Sequence, residues 1–215
     1  MKLINHTLRL LFFIVIVRPL VKIIIGLNYR NLPSLPKSGP GIIVANHNSH
    51  LDTMVLISLL PIRLLSQVQP VAAADYFLSN PIKAWFAKSI IGILPISREK
   101  SCQSDPLADC RSALNDGKIL IFFPEGSRGE PEKLTEFKFG IAKLASQCPE
   151  VPVYPIYMHG LGKALPKGKF VLVPFFCDIA FHPPLLFGGE RRDFQNALVK
   201  TFEQLKDKVK APSWD

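Results

Sequence analysis

The hydrophobic pattern divides most of the chain into short apolar runs and longer segments with helical spacing. Runs rich in β-branched and aromatic residues predict buried strands at 41–46, 68–76, 91–97, 118–126, 151–158 and 169–181. Helical segments are predicted at 51–61, 82–90, 105–117, 139–148 and from Phe194 to Val209. This alternation predicts an α/β fold with helices on both faces of a sheet. Prolines within the last two strands favour a mixed, mostly parallel sheet, because proline cannot donate to a ladder.

The first 27 residues have a different pattern, in which apolar residues outnumber all others. An unbroken apolar run at 10–17 ends at Arg18 and Pro19, and a second run at 20–27 contains Lys22. A spanning helix needs about 20 predominantly apolar residues. This N-terminal segment (1–27) is therefore predicted to be helical and membrane-associating, either as two short interfacial helices or as one span. A proline-rich stretch predicts a linker at 28–40, which leaves 41–215 as the globular domain.

The charge distribution supports a membrane partner for this segment. The chain has 26 Lys and Arg against 17 Asp and Glu, a net charge of +9. The first acidic residue is Asp52, and six basic residues precede it: Lys2, Arg9, Arg18, Lys22, Arg30 and Lys37. Because these stand among Leu, Ile, Val and Phe, we expect an anionic membrane surface as a partner and no nucleic acid. The four cysteines lack metal or disulfide spacing, which favours free thiols and the cytoplasmic face of the membrane.

The segment NHNSHLD at 46–52 joins a predicted strand to a predicted helix. On one continuous helix, His47 and Asp52 would point about 140° apart and could not meet. If His47 lies in the loop and Asp52 in the first helical turn, the carboxylate can orient the imidazole as a general base. Two alternatives stay open: Asp52 caps the helix together with Ser49, or His47 only binds backbone. Metal binding by these two with His50 is a further alternative.

A second polar cluster follows the strand in the segment FFPEGSRG at 122–129. Arg128 suits a phosphate, because its planar fork donates two parallel hydrogen bonds. Glu125 can accept from a hydroxyl group, and Ser127 and the amides near Gly126 can donate to phosphate oxygens. The turn is therefore a candidate site for a phosphorylated polyol.

Two further cations occupy comparable positions in the sequence. Arg98 ends the predicted strand in GILPISR at 92–98, and Lys138 opens a helix in FKFG at 137–140. Either charge could neutralise a phosphate group. Taken singly, each is better explained as a solvated surface charge.

Four blocks, at 46–52, 92–98, 123–128 and 151–157, together resemble the glycerolipid acyltransferase family, known for an H-x-x-x-x-D motif. That family includes lysophosphatidic acid and glycerol-3-phosphate acyltransferases, and the resemblance covers about residues 41–160. It implies a glycerol-3-phosphate acyltransferase-like fold, with His47 as general base and Asp52 orienting it. It also implies an acceptor-phosphate site formed by Arg98, Glu125, Gly126 and Arg128. Ser127 stands where the family more often has Thr.

The resemblance implies transfer of a fatty acyl group from acyl-CoA or an acyl carrier protein to the free hydroxyl of a lysophospholipid. The expected acceptor is 1-acylglycerol-3-phosphate, which gives phosphatidic acid, and no metal or redox cofactor is needed. Alternative acceptors are glycerol-3-phosphate and a lyso-aminolipid. Alternative classes are a lipid hydrolase that uses water and a non-catalytic membrane lipid-binding protein.

Overall fold

A seven-stranded sheet forms the centre of the computed structural model, which describes residues 2–30, 33–49, 51–77, 80–96, 105–129, 133–164 and 176–209. In chain order the strands are β1 (Leu27–Tyr29), β2 (Gly41–Ala45), β3 (Val68–Ala73), β4 (Leu94–Ile96), β5 (Ile119–Phe122), β6 (Val153–His159) and β7 (Cys177–Phe181). Their order across the sheet is β1-β7-β6-β2-β5-β3-β4. Neighbouring strands are parallel except β6 and β7, which are antiparallel. The mixed, mostly parallel sheet is thus confirmed.

Helices cover both faces of this sheet. The α-helices are α1 (Lys2–Leu11), α2 (Asp52–Leu59), α3 (Ala74–Phe77), α4 (Pro81–Phe86), α5 (Ala108–Asn115), α6 (Gly140–Gln147), α7 (Leu161–Ala164) and α8 (Arg191–Lys208). The buried cluster on one face joins α2 to the N-terminal residues and to a π-helical segment, Ala87–Ile91. The cluster on the other face joins α5, α6 and α8. Strands β2 and β5 are buried at every position, which explains their unbroken apolar runs.

Strand β1 lies across the boundary that the sequence predicts between the N-terminal segment and the linker. Leu27 and Asn28 pair with Cys177 and Asp178 of β7, and Asn28 Nδ2 donates to the Asp178 carboxylate at 2.8 Å. Three residues are too few to show the alternation that marks a strand in a sequence. These residues therefore belong to the sheet rather than to a free linker.

The N-terminal helix, as we call residues 2–24, is continuous through Arg18 and Pro19, where the sequence predicted a break. Two stretches of it are π-helical, Phe12–Val17 and Leu20–Ile24. In a π-helix each N–H donates to the carbonyl five residues earlier, so the turns are wider than in an α-helix. With these wider turns, every fourth side chain faces the domain and is buried: Arg9, Phe13, Val17, Val21 and Ile25.

Two arginines on this helix bind the domain rather than facing outward. Arg9 Nη2 donates to the carbonyls of Val68 and Ile91 at 2.9 and 3.0 Å, and Arg18 Nη2 donates to the carbonyl of Leu60 at 2.7 Å. The sequence counts both charges toward attraction to an anionic membrane, but Arg9 is buried against the domain and Arg18 is only partly exposed. The basic charge was a misleading signal, because a guanidinium also satisfies main-chain carbonyls at the ends of neighbouring elements.

The opposite face of the N-terminal helix is apolar and exposed, through Ile4, Leu8, Leu11, Ile14, Val15, Ile16 and Ile23. Among the described residues, the stretch Ile4–Ile23 is the one helix whose length and composition would allow it to cross a membrane. Its inner face packs on the domain, so lipid can reach only its outer face.

Candidate active site

The candidate site lies where the parallel strands β2 and β5 end, at their carboxyl edge. Loops from neighbouring parallel strands meet at this edge in α/β sheets. Asn46 is buried directly after β2, and its side chain donates to the Met158 carbonyl and accepts from the Met158 N–H, both at 2.8 Å. This pair of bonds to β6 holds the start of the NHNSHLD loop in place.

His47 and Asp52 meet, as the sequence predicted. His47 Nδ1 lies 2.9 Å from Asp52 Oδ2, with Asp52 at the start of α2 and its side chain 1% exposed. A carboxylate only accepts, so Nδ1 carries the ring proton and Nε2 is the nitrogen that can take another. The imidazole stacks on the ring of Phe123, with 4.1 Å between centroids, and stays 20% exposed. It is therefore held on two sides yet open to a small reactant.

Asp52 also binds the loop that precedes α2, although Leu51 is the N-cap of that helix and no side-chain cap bond is formed there. Its Oδ2 accepts from the main-chain N–H groups of Asn48 and Ser49 at 2.7 and 2.8 Å. The bond to Ser49 resembles one half of a capping box. The same oxygen thus orients the imidazole and binds the two N–H groups of the loop. The other oxygen, Oδ1, is buried without a hydrogen-bond partner among the described residues.

Glu125, which the sequence expects to contact a substrate hydroxyl, is bound through both carboxylate oxygens to groups of the protein. Its side chain is buried, Oε1 accepts from the main-chain N–H of His47 at 2.8 Å, and Oε2 accepts from Thr135 Oγ1 at 2.7 Å. Burial raises the pKa of this carboxyl group, against the lowering effect of these hydrogen bonds. Both carboxylate oxygens are engaged by the protein itself.

The turn after β5 forms hydrogen bonds with both main-chain groups of His47. Besides the bond to Glu125, the carbonyl of His47 accepts from the N–H of Gly129 at 3.0 Å. A side chain at Gly129 would lie 3.1 Å from Glu125 Oε2, so the close approach of the loops needs a small residue there. Two loops that are distant in sequence are therefore joined by hydrogen bonds at the main chain of His47.

Lys138 lies directly across this turn. Its main-chain N–H donates to the Pro124 carbonyl at 2.9 Å, and its ammonium would be 2.7 Å from a Cβ built on Gly126. Gly126 has a φ of +72°, a conformation that other residues rarely adopt. On the same turn Ser127 is exposed and Arg128 is half-buried. The structure thus brings Lys138 to the Glu125–Arg128 turn, as a shared phosphate site would require.

Two sequence candidates, Arg98 and His50, lie outside the described residues. Strand β4 ends at Ile96, two residues before Arg98, and runs parallel to β3. Within the described ranges, no group of three His, Cys, Asp or Glu side chains is arranged to hold a metal ion.

Three residues of the site were missed by sequence reasoning: Asn46, Phe123 and Thr135. Asn46 is a polar residue at the end of a fully apolar strand, which is a usable signal. Phe123 merely extends an apolar run, and Thr135 stands in a polar loop ten residues from Glu125. Neither of the last two carries a signal of its role in the sequence.

Comparison with known proteins decides the family. The family model described as Acyltransferase matches residues 26–159, which include all the described parts of the site. The chain belongs to this acyltransferase family. Its relatives include the chloroplastic 1-acyl-sn-glycerol-3-phosphate acyltransferase LPAT1 of Arabidopsis thaliana, 33% identical over 77% of this chain and 44% of that protein. The protein Taffazin of Dictyostelium discoideum is 31% identical over 60% of the chain and 48% of its own length.

The family resemblance extends to a solved structure. The 1-acyl-sn-glycerophosphate (LPA) acyltransferase PlsC of Thermotoga maritima superposes with a TM-score of 0.73 over the whole of both chains, at 19% identity. At this identity the likeness establishes the fold. The chain spans less than half the length of the Arabidopsis and Dictyostelium relatives.

Proposed function

We propose that this chain transfers a fatty acyl group from a thioester donor to the free hydroxyl of 1-acylglycerol-3-phosphate, giving phosphatidic acid. The observation that carries the proposal is the 2.9 Å contact between His47 Nδ1 and the buried carboxylate of Asp52. The names of the acyltransferase relatives support this acceptor. Acyl-CoA and an acyl carrier protein are both suitable donors, since each presents a thioester on an anionic carrier.

His47 acts as the general base in this proposal. Nε2 takes the proton of the acceptor hydroxyl while the hydroxyl oxygen attacks the thioester carbonyl carbon. Collapse of the tetrahedral intermediate breaks the carbon–sulfur bond, and the imidazolium returns the proton to the leaving thiolate. Asp52 stabilises the imidazolium between these two steps and keeps Nδ1 directed away from the substrate.

The acceptor phosphate is placed at the turn 125–129. Arg128, Lys138 and, from the sequence, Arg98 supply positive charge there, and Ser127 with the amide near Gly126 can donate hydrogen bonds. Glu125 takes a different role from the one expected for it. Because its oxygens bind His47 and Thr135, it positions the base instead of the acceptor.

The enzyme is proposed to work at the cytoplasmic face of a membrane, with the N-terminal helix lying in one leaflet. An interfacial position fits the helix better than a span, because its inner face is fixed to β3 through Arg9. A spanning helix would have to draw that strand into the hydrocarbon with it, exposing main-chain groups to lipid.

An acyl-transfer assay with the full chain tests the function. Labelled acyl-CoA or acyl carrier protein is offered with 1-acylglycerol-3-phosphate, and labelled phosphatidic acid is expected. His47→Ala should lower turnover by about 10²–10⁴-fold, whereas His182→Ala, an exposed histidine bound to the Pro183 carbonyl, should not change it. Full activity in His47→Ala would refute the proposal.

Further arms separate the other functions. Release of free fatty acid without acceptor would indicate a hydrolase, and faster transfer to glycerol-3-phosphate or a lyso-aminolipid would change the acceptor. Lipid binding without turnover on any acceptor would indicate a non-catalytic lipid-binding protein.

A further inference from the structure

Helix α4 exposes large apolar side chains that the described residues cover only in part. Ile82, Trp85 and Phe86 are 77%, 47% and 37% exposed. The start of the helix is capped by Asn80 Oδ1, which accepts from the N–H groups of Ile82 and Lys83. The following π-helical turn anchors it through Ala87, Ile90 and Ile91, which are buried in the core. The exposed side chains are therefore available to a partner.

This surface continues the exposed face of the N-terminal helix. The rings of Phe86 and Phe12 pack edge to face, with 5.5 Å between centroids. Asn5 Nδ2 also donates to Ser89 Oγ at 3.1 Å. The two helices thus present one joint apolar surface, built from segments about 70 residues apart in the sequence.

The charges around α4 select the kind of partner. Residues 76–98 contain no Asp or Glu, and Lys83 and Lys88 are exposed beside the apolar side chains. Exposed lysines next to a tryptophan and aliphatic side chains match the headgroup region of an anionic bilayer, where Trp prefers to lie. A protein partner would not require this lack of acidic residues.

We propose that α4 is a second membrane-inserting element, whose residues Ile82, Trp85 and Phe86 enter the same leaflet as the outer face of the N-terminal helix. Helix α4 follows β3, which is parallel to β5 and so ends at the edge where His47 lies. This contact rests on the proposed membrane location and adds a second anchor near the edge of the sheet where His47 lies. It would shorten the path of a lipid acceptor from the bilayer to the base.

Tryptophan fluorescence tests this insertion directly. The chain has two tryptophans, Trp85 and Trp214, so Trp214→Phe leaves Trp85 as the single reporter. Anionic vesicles brominated on an acyl chain should remove much of its emission, while unbrominated vesicles should not. Flotation of the protein with vesicles without any bromine quenching would overturn the proposal, because only the N-terminal helix would then be inserted.

Matched variants of the full chain provide the second test. Ile82→Ser with Trp85→Ser should weaken vesicle partitioning by at least about tenfold, because two apolar side chains no longer leave water. Leu186→Ser, which alters a residue 64% exposed on a separate loop, should leave partitioning unchanged. Equal partitioning of the double variant and the wild type would refute the proposal. A dimer that dissociates in the double variant, without quenching in the reporter protein, would refute it too and would assign this surface to a second copy.

These outcomes are independent of the proposed reaction. The double variant should keep wild-type turnover with detergent-dispersed substrates, since Ile82 and Trp85 are exposed surface side chains outside the proposed catalytic pair. Failure of the acyltransferase proposal would instead abolish product in the wild type under the same conditions.

Discussion

The main-chain N–H of His47 donates to the buried carboxylate of Glu125 at 2.8 Å, across 78 residues of sequence. A second hydrogen bond joins the same turn to His47, from the Gly129 N–H to the His47 carbonyl. The proposed base is therefore positioned through its backbone by the same loop that carries the proposed acceptor-phosphate groups. Variants at different positions of this loop can therefore separate the positioning of the base from the binding of the acceptor.

Glu125→Ala should lower kcat while changing the KM for the acceptor little, because the carboxylate positions His47. Loss of a buried charged hydrogen bond should also cost about 1.5–3 kcal/mol of folding stability. Glu125→Gln should retain more activity, since its amide oxygen can still accept from the His47 N–H. Steady-state kinetics with denaturant unfolding measure both effects, and exposed Glu136→Gln is the control. A rise in acceptor KM alone would instead indicate substrate contact.

Stability should depend on pH through Glu125. Because burial raises the pKa of this carboxyl in the folded state, the unfolded chain releases the proton first as pH increases. The free energy of unfolding of the wild type, compared with that of Glu125→Gln, should therefore fall as pH rises above the ordinary pKa of a glutamate. The fall should stop once pH exceeds the raised pKa of the folded state. Urea unfolding of both proteins between about pH 4 and 7 measures this difference. A difference that is constant with pH would contradict the prediction.

Asp52→Asn should reduce kcat by about 10²-fold or more, since the imidazolium loses its stabilising charge. The amide oxygen can still accept from the N–H groups of Asn48 and Ser49, so stability should change little. Asp52→Ala should also lose the hydrogen bonds from the Asn48 and Ser49 N–H groups, at about 1 kcal/mol or more. Kinetics and thermal unfolding of both variants separate the two roles. Unchanged kcat in Asp52→Asn would leave Asp52 with the structural role of holding the loop before α2.

Lys138→Ala and Arg128→Ala should raise the KM for a phosphate-bearing acceptor more than the KM for the acyl donor. Each variant removes a cation on or beside the turn that carries Gly126. Arg98→Ala should act in the same direction but more weakly. Initial rates with each substrate varied in turn provide the measurement, with exposed Lys200→Ala as control. Equal changes in both constants would point to a structural role or to the phosphates of the donor.

The N-terminal helix should contribute to folding as well as to membrane binding. Val17 is 2% exposed and Val15 is 63% exposed, so the two form a matched pair on opposite faces. Val17→Ala should cost about 2 kcal/mol of unfolding free energy through lost packing, and Val15→Ala within about 0.5 kcal/mol. Denaturant unfolding in detergent compares them. Equal small losses would show that the helix is separable from the domain.

Local patterns were enough to predict most of the elements and the central pair of the site. The fully apolar runs of β2 and β5 identified buried strands, and the turn between strand and helix allowed His47 to reach Asp52. The prediction placed Glu125 in the correct loop with a substrate-binding role. Its partner was not predictable, because the bond to His47 depends on β2 and β5 being neighbours in the sheet.

The sequence by itself determined the alternation of strands and helices, the mixed sheet, the apolar N-terminal segment and the candidate residues His47, Asp52, Arg128 and Lys138. These follow from periodicity, charge and motif spacing, which are local properties of a chain. Only the tertiary structure decided which face of the N-terminal helix is buried, that Arg9 and Arg18 bind carbonyls, and that α4 lies beside that helix. The physical reason is that a side chain's role depends on the groups that the fold brings next to it, and apolar or charged residues look the same in sequence whether the domain or a membrane covers them.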